Sequence, residues 1–237
     1  MFTLDQIVPL GRSLGEYQHM FALTEQDLGG RIVGCADGPA SFNAEAFQRG
    51  CQVVSCDPLY HFDAEAIRCR IHSTFDQVME QTRLNRVQFV WDTIKSVDEL
   101  ARVRMAAMET FLADYEAGKR QGRYIEAALP ALPFPDASFD LALCSHFLFL
   151  YTAQLSESFH RQAVAEMCRV AAEVRIFPLL TLGGEPSVHI ESVLEAAKSG
   201  GLSACVERVP YEFQRGGNQM MRIARPGKDN WHVPSQD

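Results

Sequence analysis

No run of apolar residues in this sequence is long enough to cross a bilayer, because polar residues interrupt the longest candidates. A membrane-spanning role is therefore not expected. The opening residues, MFTLDQIVPLGRSLGEY, lack the basic-then-apolar order of a secretion signal. Positive charge is not in excess either: 22 basic residues face 30 acidic ones, for a formal charge of -8. That balance argues against a dedicated nucleic-acid surface, although it leaves room for a local basic patch. The seven cysteines include no C-x-x-C pair and no metal-finger spacing. Cys35, Cys56, Cys144 and Cys205 instead sit in apolar, strand-like runs, where cysteine behaves as a small hydrophobe. A reduced, cytoplasmic setting is the simplest expectation. There is no internal repeat and no low-complexity tract.

What is present is an ordinary globular composition, 47% hydrophobic and 22% charged over 237 residues, enough for one domain with a real core. Short apolar runs alternate with helical patterns, which is the signature of a mostly parallel sheet. Strands are expected at 31–35, 52–57, 124–127, 139–144, 173–180, 202–209 and 219–224, the last two joined by a turn containing Gly216 and Gly217 as an antiparallel, hairpin-like edge. Between them, Phe42, Ala46 and Phe47 share one helix face. Phe159, Ala163, Val164, Met167 and Val170 share another. Ser187 is expected to cap a helix bearing Ile190, Val193, Leu194 and Ala197. The pattern predicts an α/β fold: a doubly wound, seven-stranded, mostly parallel sheet with an antiparallel C-terminal strand. To this is added an N-terminal helical extension over about 1–29, with a helix near Ser13–Phe21. A helical insertion follows between strands two and three, over about 61–122. That segment is too long for one crossover helix. From Asp98 it places Leu100, Val103, Ala107, Phe111, Leu112 and Tyr115 at helical spacing, as a cap over the site or as helices that support the core.

The strongest chemical signal is RIVGCADGPA at 31–40. A strand turning through glycines into a helix lets a ligand approach the backbone, since no Cβ intervenes, and the loop N–H groups favour polar or anionic ligand groups. Asp57 ends the next strand about twenty residues on, where a carboxylate can accept both hydroxyls of a ribose. A dinucleotide fold would need glycine at 34, 36 and 39. Here Ala36 and Pro39 stand at the second and third positions, and proline there removes a donor and opposes close packing.

GCADGPAS, then VVSCDP, then LPFPDASFDLALCSHFLFLY together resemble the class I, Rossmann-like S-adenosylmethionine (SAM)-dependent methyltransferases, over roughly 31–225, and bacterial members of that class most. The resemblance implies that Gly34, Cys35, Ala36 and Gly38 form the cofactor loop and that Asp57 holds the ribose. It places Pro58 and Leu59 beside the adenine, Ala128 and Leu129 at the adenine edge, and Ser145 and His146 toward the methyl group and substrate. Arg12 and Tyr17, on the N-terminal helix, would close over the cofactor, Arg12 pairing with its carboxylate. The family often has acidic residues where this chain has Ile32 and Ala128.

His146 is the candidate general base, its type titrating near neutral pH. Phe147, Phe149 and Tyr151 are candidates for an aromatic lining, with plain core packing expected for at least one. His160 and His189 lack partners at ligand spacing, so no metal is assigned. Gly216, Gly217 and Asn218 read as a turn that can border the substrate pocket. The acceptor expected is a small molecule. The alternatives are RNA or protein, contacted by the insertion and the basic cluster Lys119, Arg120 and Arg123, or a non-catalytic SAM-binding module.

Overall fold

The computed structural model describes residues 8–226. Seven strands form one sheet: β1 (Arg31–Cys35), β2 (Gln52–Cys56), β3 (Tyr124–Ile125), β4 (Phe139–Ser145), β5 (Ala171–Phe177), β6 (Ser203–Arg208) and β7 (Gln219–Ala224). Their order is β3-β2-β1-β4-β5-β7-β6. Neighbours from β3 to β5 are parallel, while β7 runs antiparallel to both β5 and β6. The doubly wound sheet with its antiparallel C-terminal region matches the pattern expected from the alternation.

Helices cover both faces, which is why the central strands read as almost unbroken apolar runs. On one face α6 (Glu157–Val170) and α7 (Ile190–Ser199) bury Ala163, Met167, Val193 and Leu194 against Val33, Cys144, Val174 and Ile176. On the other, α1 (Leu14–Met20) and α3 (Phe42–Gln48) bury Leu14, Tyr17, Phe42 and Ala46 against Ile32, Leu141 and Leu143. A one-turn helix, α2 (Glu25–Leu28), leads into β1. Ile32, standing where the family often has an acid, is fully buried in that second face.

Helix α1 starts where Ser13 and Glu16 form a reciprocal capping box, satisfying two otherwise orphaned backbone donors. Two local expectations shift. Phe47 lies 46% exposed rather than on the buried face of α3, with the Arg123 guanidinium 4.1 Å over its ring. Ser187 sits two residues before the N-cap of α7, which is His189; the Ser187 hydroxyl accepts from the His189 N–H.

The insertion between β2 and β3 is a pair of long helices, α4 (Ala64–Leu84) and α5 (Val97–Arg120). The near end of α5 supports the core: Phe111 and Tyr115 join Tyr60 and Tyr124 in an aromatic cluster. Its far end does something else. Val78, Met79, Val97 and Leu100 pack with Leu182 and Phe213, beyond the carboxyl end of the sheet. A single bridge between Phe89 and Gln214, with Val90 N–H donating to the Phe213 carbonyl at 2.7 Å, ties the α4–α5 connection to the loop between β6 and β7. Val103, placed on the buried face from its spacing, is only half-buried; Arg104 occupies that face instead.

Candidate active site

The sheet order reverses between β1 and β4, and the crevice beyond the carboxyl ends of these strands is where such sheets receive ligands. Three loops converge there. After β1 the chain turns through Ala36–Gly38, with φ of 58° at Ala36 and 55° at Gly38. After β2 comes Asp57. Its Oδ2 accepts from the Gly38 N–H at 2.9 Å and its Oδ1 from the Leu59 N–H at 2.8 Å. Tyr60 completes the cradle, its hydroxyl donating to the Gly38 carbonyl at 2.7 Å. Ser145, the last residue of β4, and His146 just after it face the same space.

Ala36 departs from the middle glycine of the family loop and also adopts a left-handed backbone, which costs an L-residue roughly 1–2 kcal/mol. Glycine there relieves that strain but loses more chain entropy on folding, roughly 0.5–1 kcal/mol. Ala36→Gly is thus expected to stabilise the protein by about 0.5 kcal/mol in guanidinium unfolding; destabilisation would show that the methyl group fills space the loop needs.

Asp37, which sequence reading passed over, is the most enclosed carboxylate of the site at 7% exposure. Tyr17 donates to its Oδ1 at 2.8 Å and Ser55 to its Oδ2 at 2.6 Å. Burial raises its pKa to about 6 against those two hydrogen bonds, helped by repulsion from Asp57. Burial likewise raises Asp57 to about 6, with its two backbone donors opposing. Tyr17 is held by stacking on Phe42, ring centroids 4.2 Å apart.

These residues line a cleft of about 400 Å³, within the range of small-ligand sites. Arg12, Tyr17, Ala36, Gly38, Asp57, Pro58, Leu59, Ala128, Leu129, Ser145 and His146 all border it, with Phe147 and Tyr151. Gly34 and Cys35 do not. Cys35 is packed in the core. At Gly34 a Cβ would meet Asp37 Oδ2 at 1.8 Å, so the missing side chain makes room for the Asp37 carboxylate rather than for a ligand. Phe149 is fully buried core. A nucleoside fits this donor set. Each Asp57 oxygen uses one lone pair on a backbone N–H and keeps another for a hydroxyl, and Pro58 and Leu59 supply apolar surface alongside.

A second, smaller cavity of about 110 Å³ opens beside it. Its walls come from the insertion (Val78, Phe89, Leu100, Arg104), from the end of β5 (Phe177, Pro178) and from the β6–β7 connection (Tyr211, Phe213, Gly217). Phe89 and Phe213 stack there with centroids 5.0 Å apart. Arg12, His146 and Tyr151 border both cavities. His146 carries a positive φ of 52°; its N–H donates to the Phe177 carbonyl at 2.6 Å and its Nδ1 lies 2.9 Å from the Ser145 hydroxyl. Burial, then the positive charges of Arg12 and Arg104, hold its pKa well below 6.5, so the ring is neutral near pH 7.

Other sequence candidates lie elsewhere. Arg123 is committed to Asp114 by two contacts of 2.7 Å, and Lys119 donates to the Tyr60 carbonyl at 2.6 Å. His160 is buried, its two ring nitrogens each 2.9 Å from a backbone carbonyl, of Ser156 and Leu148. Among the described residues no group of three or more His, Cys, Asp or Glu is placed to hold a metal ion, and no helix is long and apolar enough to cross a membrane. Arg104, Tyr211 and the Phe89–Phe213 pair were not anticipated. They meet from segments more than a hundred residues apart, and no local spacing announces them.

Over residues 103–173 the sequence matches a methyltransferase domain. It is also similar to an uncharacterized protein of the archaeon Methanocaldococcus jannaschii, with 35% identity over 224 residues, covering 94% of this chain and 98% of the relative. Among solved structures it is similar to magnesium protoporphyrin IX methyltransferase of Synechocystis with bound SAM. That likeness has 9% identity and a TM-score of 0.45, covering 85% of this chain and 73% of the other. A TehB-like SAM-dependent methyltransferase of Corynebacterium glutamicum is similar with 16% identity and a TM-score of 0.46, covering 89% of this chain and 87% of the other.

Proposed function

The chain belongs to one family with the Methanocaldococcus protein and has a class I methyltransferase fold; on that premise we propose that this SAM-dependent enzyme methylates a small molecule seated against the stacked Phe89–Phe213 pair. One observation carries the reading. His146, Arg12 and Tyr151 border both the cleft containing Asp57 and the aromatic-walled cavity, so donor and acceptor sites share a wall. The basic cluster gives RNA little support, because Lys119 and Arg123 are spent inside the protein.

The cofactor supplies an electrophilic methyl group for in-line displacement. Asp57 accepts the ribose hydroxyls, and Gly38, fixed by Asp57 and Tyr60, shapes the floor of the cleft. Pro58, Leu59, Ala128 and Leu129 flank the base. The insertion and the β6–β7 connection enclose the acceptor and exclude water, so that orientation supplies much of the acceleration, worth roughly 7–11 kcal/mol in well-aligned systems.

Neutral His146 takes the proton of a hydroxyl acceptor. Hence His146→Ala is expected to lower turnover roughly a hundredfold, at the low end for general bases because its pKa is depressed. Affinity for S-adenosylhomocysteine, measured by calorimetry, stays within about threefold on the same reasoning, since no cofactor hydrogen bond is assigned to the ring. Unchanged turnover would leave positioning alone as the source of rate.

The acceptor class is tested by incubating the enzyme with methyl-labelled SAM and separated small-molecule, RNA and protein fractions of a cell extract. Label is expected in the small molecules. Label confined to RNA or protein overturns the acceptor assignment, and failure to form S-adenosylhomocysteine with any fraction overturns the methyltransferase reading itself.

A further inference from the structure

The wall of the aromatic cavity holds more positive charge than its own residues use. Arg104 is 1% exposed; its Nη1 donates to Glu16 at 2.7 Å and its Nη2 approaches the Tyr211 hydroxyl at 3.5 Å. Glu16 also accepts from the Tyr211 hydroxyl at 3.1 Å and from the Ser13 N–H at 3.1 Å. Its charge is thus spent on one guanidinium, one phenol and a helix cap. Arg12 comes second. Its Nη1 donates to the Leu10 carbonyl at 2.9 Å, and after burial the ionisable groups acting on it most are Arg104, Tyr211 and Glu16 rather than the carboxylates of the cofactor cleft. Two guanidinium groups therefore stand near one carboxylate, and only Arg104 is in contact with it. The Nε atoms of both arginines are buried without a hydrogen-bond partner among the described residues.

A buried N–H donor left without an acceptor, on a charged group, costs several times what an exposed one does. Two neighbouring cations with one carboxylate near them, both bordering one cavity, are the arrangement that an anion entering that cavity completes. Val78, Phe89, Leu100 and Phe213 make the apolar part of the wall, while the Thr82 hydroxyl and the Gln214 amide donate to carbonyls of the protein itself, those of Val78 and Thr181. A cavity of about 110 Å³ has room for a single ring.

We propose that the acceptor is a ring-sized carboxylic acid bearing the hydroxyl whose proton His146 takes as the methyl group arrives, its carboxylate held by Arg12 and Arg104 and its ring lying against Phe89 and Phe213. The assignment rests on the reading of this cavity as the acceptor site. It moves Arg12 from the cofactor's carboxylate, where the family resemblance placed it, to the acceptor's. It also accounts for Arg104, a cation on a helix face otherwise made of Leu100, Ala107, Met108 and Phe111.

The probes are benzoate and cyclohexanecarboxylate against their neutral amides, titrated into full-length protein saturated with S-adenosylhomocysteine. Both acids are expected to bind at least tenfold more tightly than their amides. Arg12→Gln, which breaks no ion pair, is expected to remove at least tenfold of acid affinity and leave amide affinity unchanged. Arg104→Gln acts in the same direction, and Arg104→Lys, which keeps a partner for Glu16, restores the fold if the glutamine variant unfolds. Equal binding of acids and amides, or binding of neither, overturns the proposal while leaving the methyltransferase reading intact. So does an Arg12→Gln effect confined to S-adenosylhomocysteine and absent with methylthioadenosine, since the cation then belongs to the cofactor's carboxylate. Failure of the protein to bind S-adenosylhomocysteine at all overturns both readings.

Discussion

Asp57→Ala is expected to abolish measurable binding of S-adenosylhomocysteine in calorimetry while leaving the protein folded. The carboxylate stands at the end of β2 with one lone pair of each oxygen committed to the N–H groups of Gly38 and Leu59. Two hydroxyls of a ribose are left to meet a charged acceptor, each such hydrogen bond being worth roughly 1.5–3 kcal/mol. Losing both weakens binding at least a hundredfold, by about 3–6 kcal/mol in total. Stability changes little because two terms oppose. Removing a carboxylate whose pKa burial has raised to about 6 is favourable, whereas freeing two backbone donors is not. Asparagine is no rescue: its amide NH₂ would face one of those N–H donors. Retained affinity in the alanine variant would remove Asp57 from the cofactor site.

The same carboxylate sets a pH dependence whose sign is fixed by its upward shift. Above about pH 6 Asp57 is ionised and ready to accept; below it the free protein carries a proton that must leave before both hydroxyls can be bound. Affinity for S-adenosylhomocysteine should therefore be flat from about pH 7 to 8 and fall toward tenfold per unit below about pH 6. Asp37, shifted in the same direction and 20 residues upstream, titrates alongside it. An affinity that rises on acidification would show that the bound form is the protonated one.

How far the sequence foretold this site depends on the range of the forces involved. Each buried strand is an apolar run bounded by turn residues, so β1, β2 and β4, and the antiparallel β7, lie within a residue or so of where the pattern places them. Asp57 could be found from spacing because it follows a strand adjacent to β1 and ends it at the carboxyl edge. Asp37 could not. Its burial depends on Tyr17 and Ser55, 20 residues before and 18 after, which reach it only because α1 folds across β1 and β2 stands alongside. Helix α4 is hidden by its long polar surface; only α5 has a regular apolar stripe, and that stripe includes Val103 and leaves out Arg104, because in sequence a guanidinium facing a cavity looks like a solvent-facing charge. Phe47 failed in the opposite sense. It fits the helical spacing of Phe42 and Ala46, but Arg123 covers its ring from outside and lets it stay off the core. The aromatic cavity has no local signature, since its walls come from five segments joined only by the topology.

Gly34→Ala is expected to be the most damaging single methyl group that can be added to this loop. Gly34 lies within β1, between β2 and β4, where the strand cannot shift without breaking two ladders. A Cβ there would stand 1.8 Å from Asp37 Oδ2 and 2.4 Å from its Cγ. The carboxylate must therefore leave, and with it the hydrogen bonds from Tyr17 and Ser55. Overpacking costs roughly 1–3 kcal/mol, and each hydrogen bond to a buried charge roughly 1.5–3 kcal/mol. Part of this is offset when Asp37 regains water, so the net loss is about 4 kcal/mol, a large share of the 5–15 kcal/mol that holds a typical domain. Guanidinium unfolding measures it. The mechanism is isolated by a double-mutant cycle with Asp37→Ala. That change alone strands two hydroxyl donors and destabilises the protein, but it also vacates the space beside Gly34. Adding Gly34→Ala to Asp37→Ala should then cost less than about 1 kcal/mol, a coupling of about 3 kcal/mol. Strict additivity of the two would mean that the glycine is required by the strand or by the cofactor and not by the carboxylate beneath the loop.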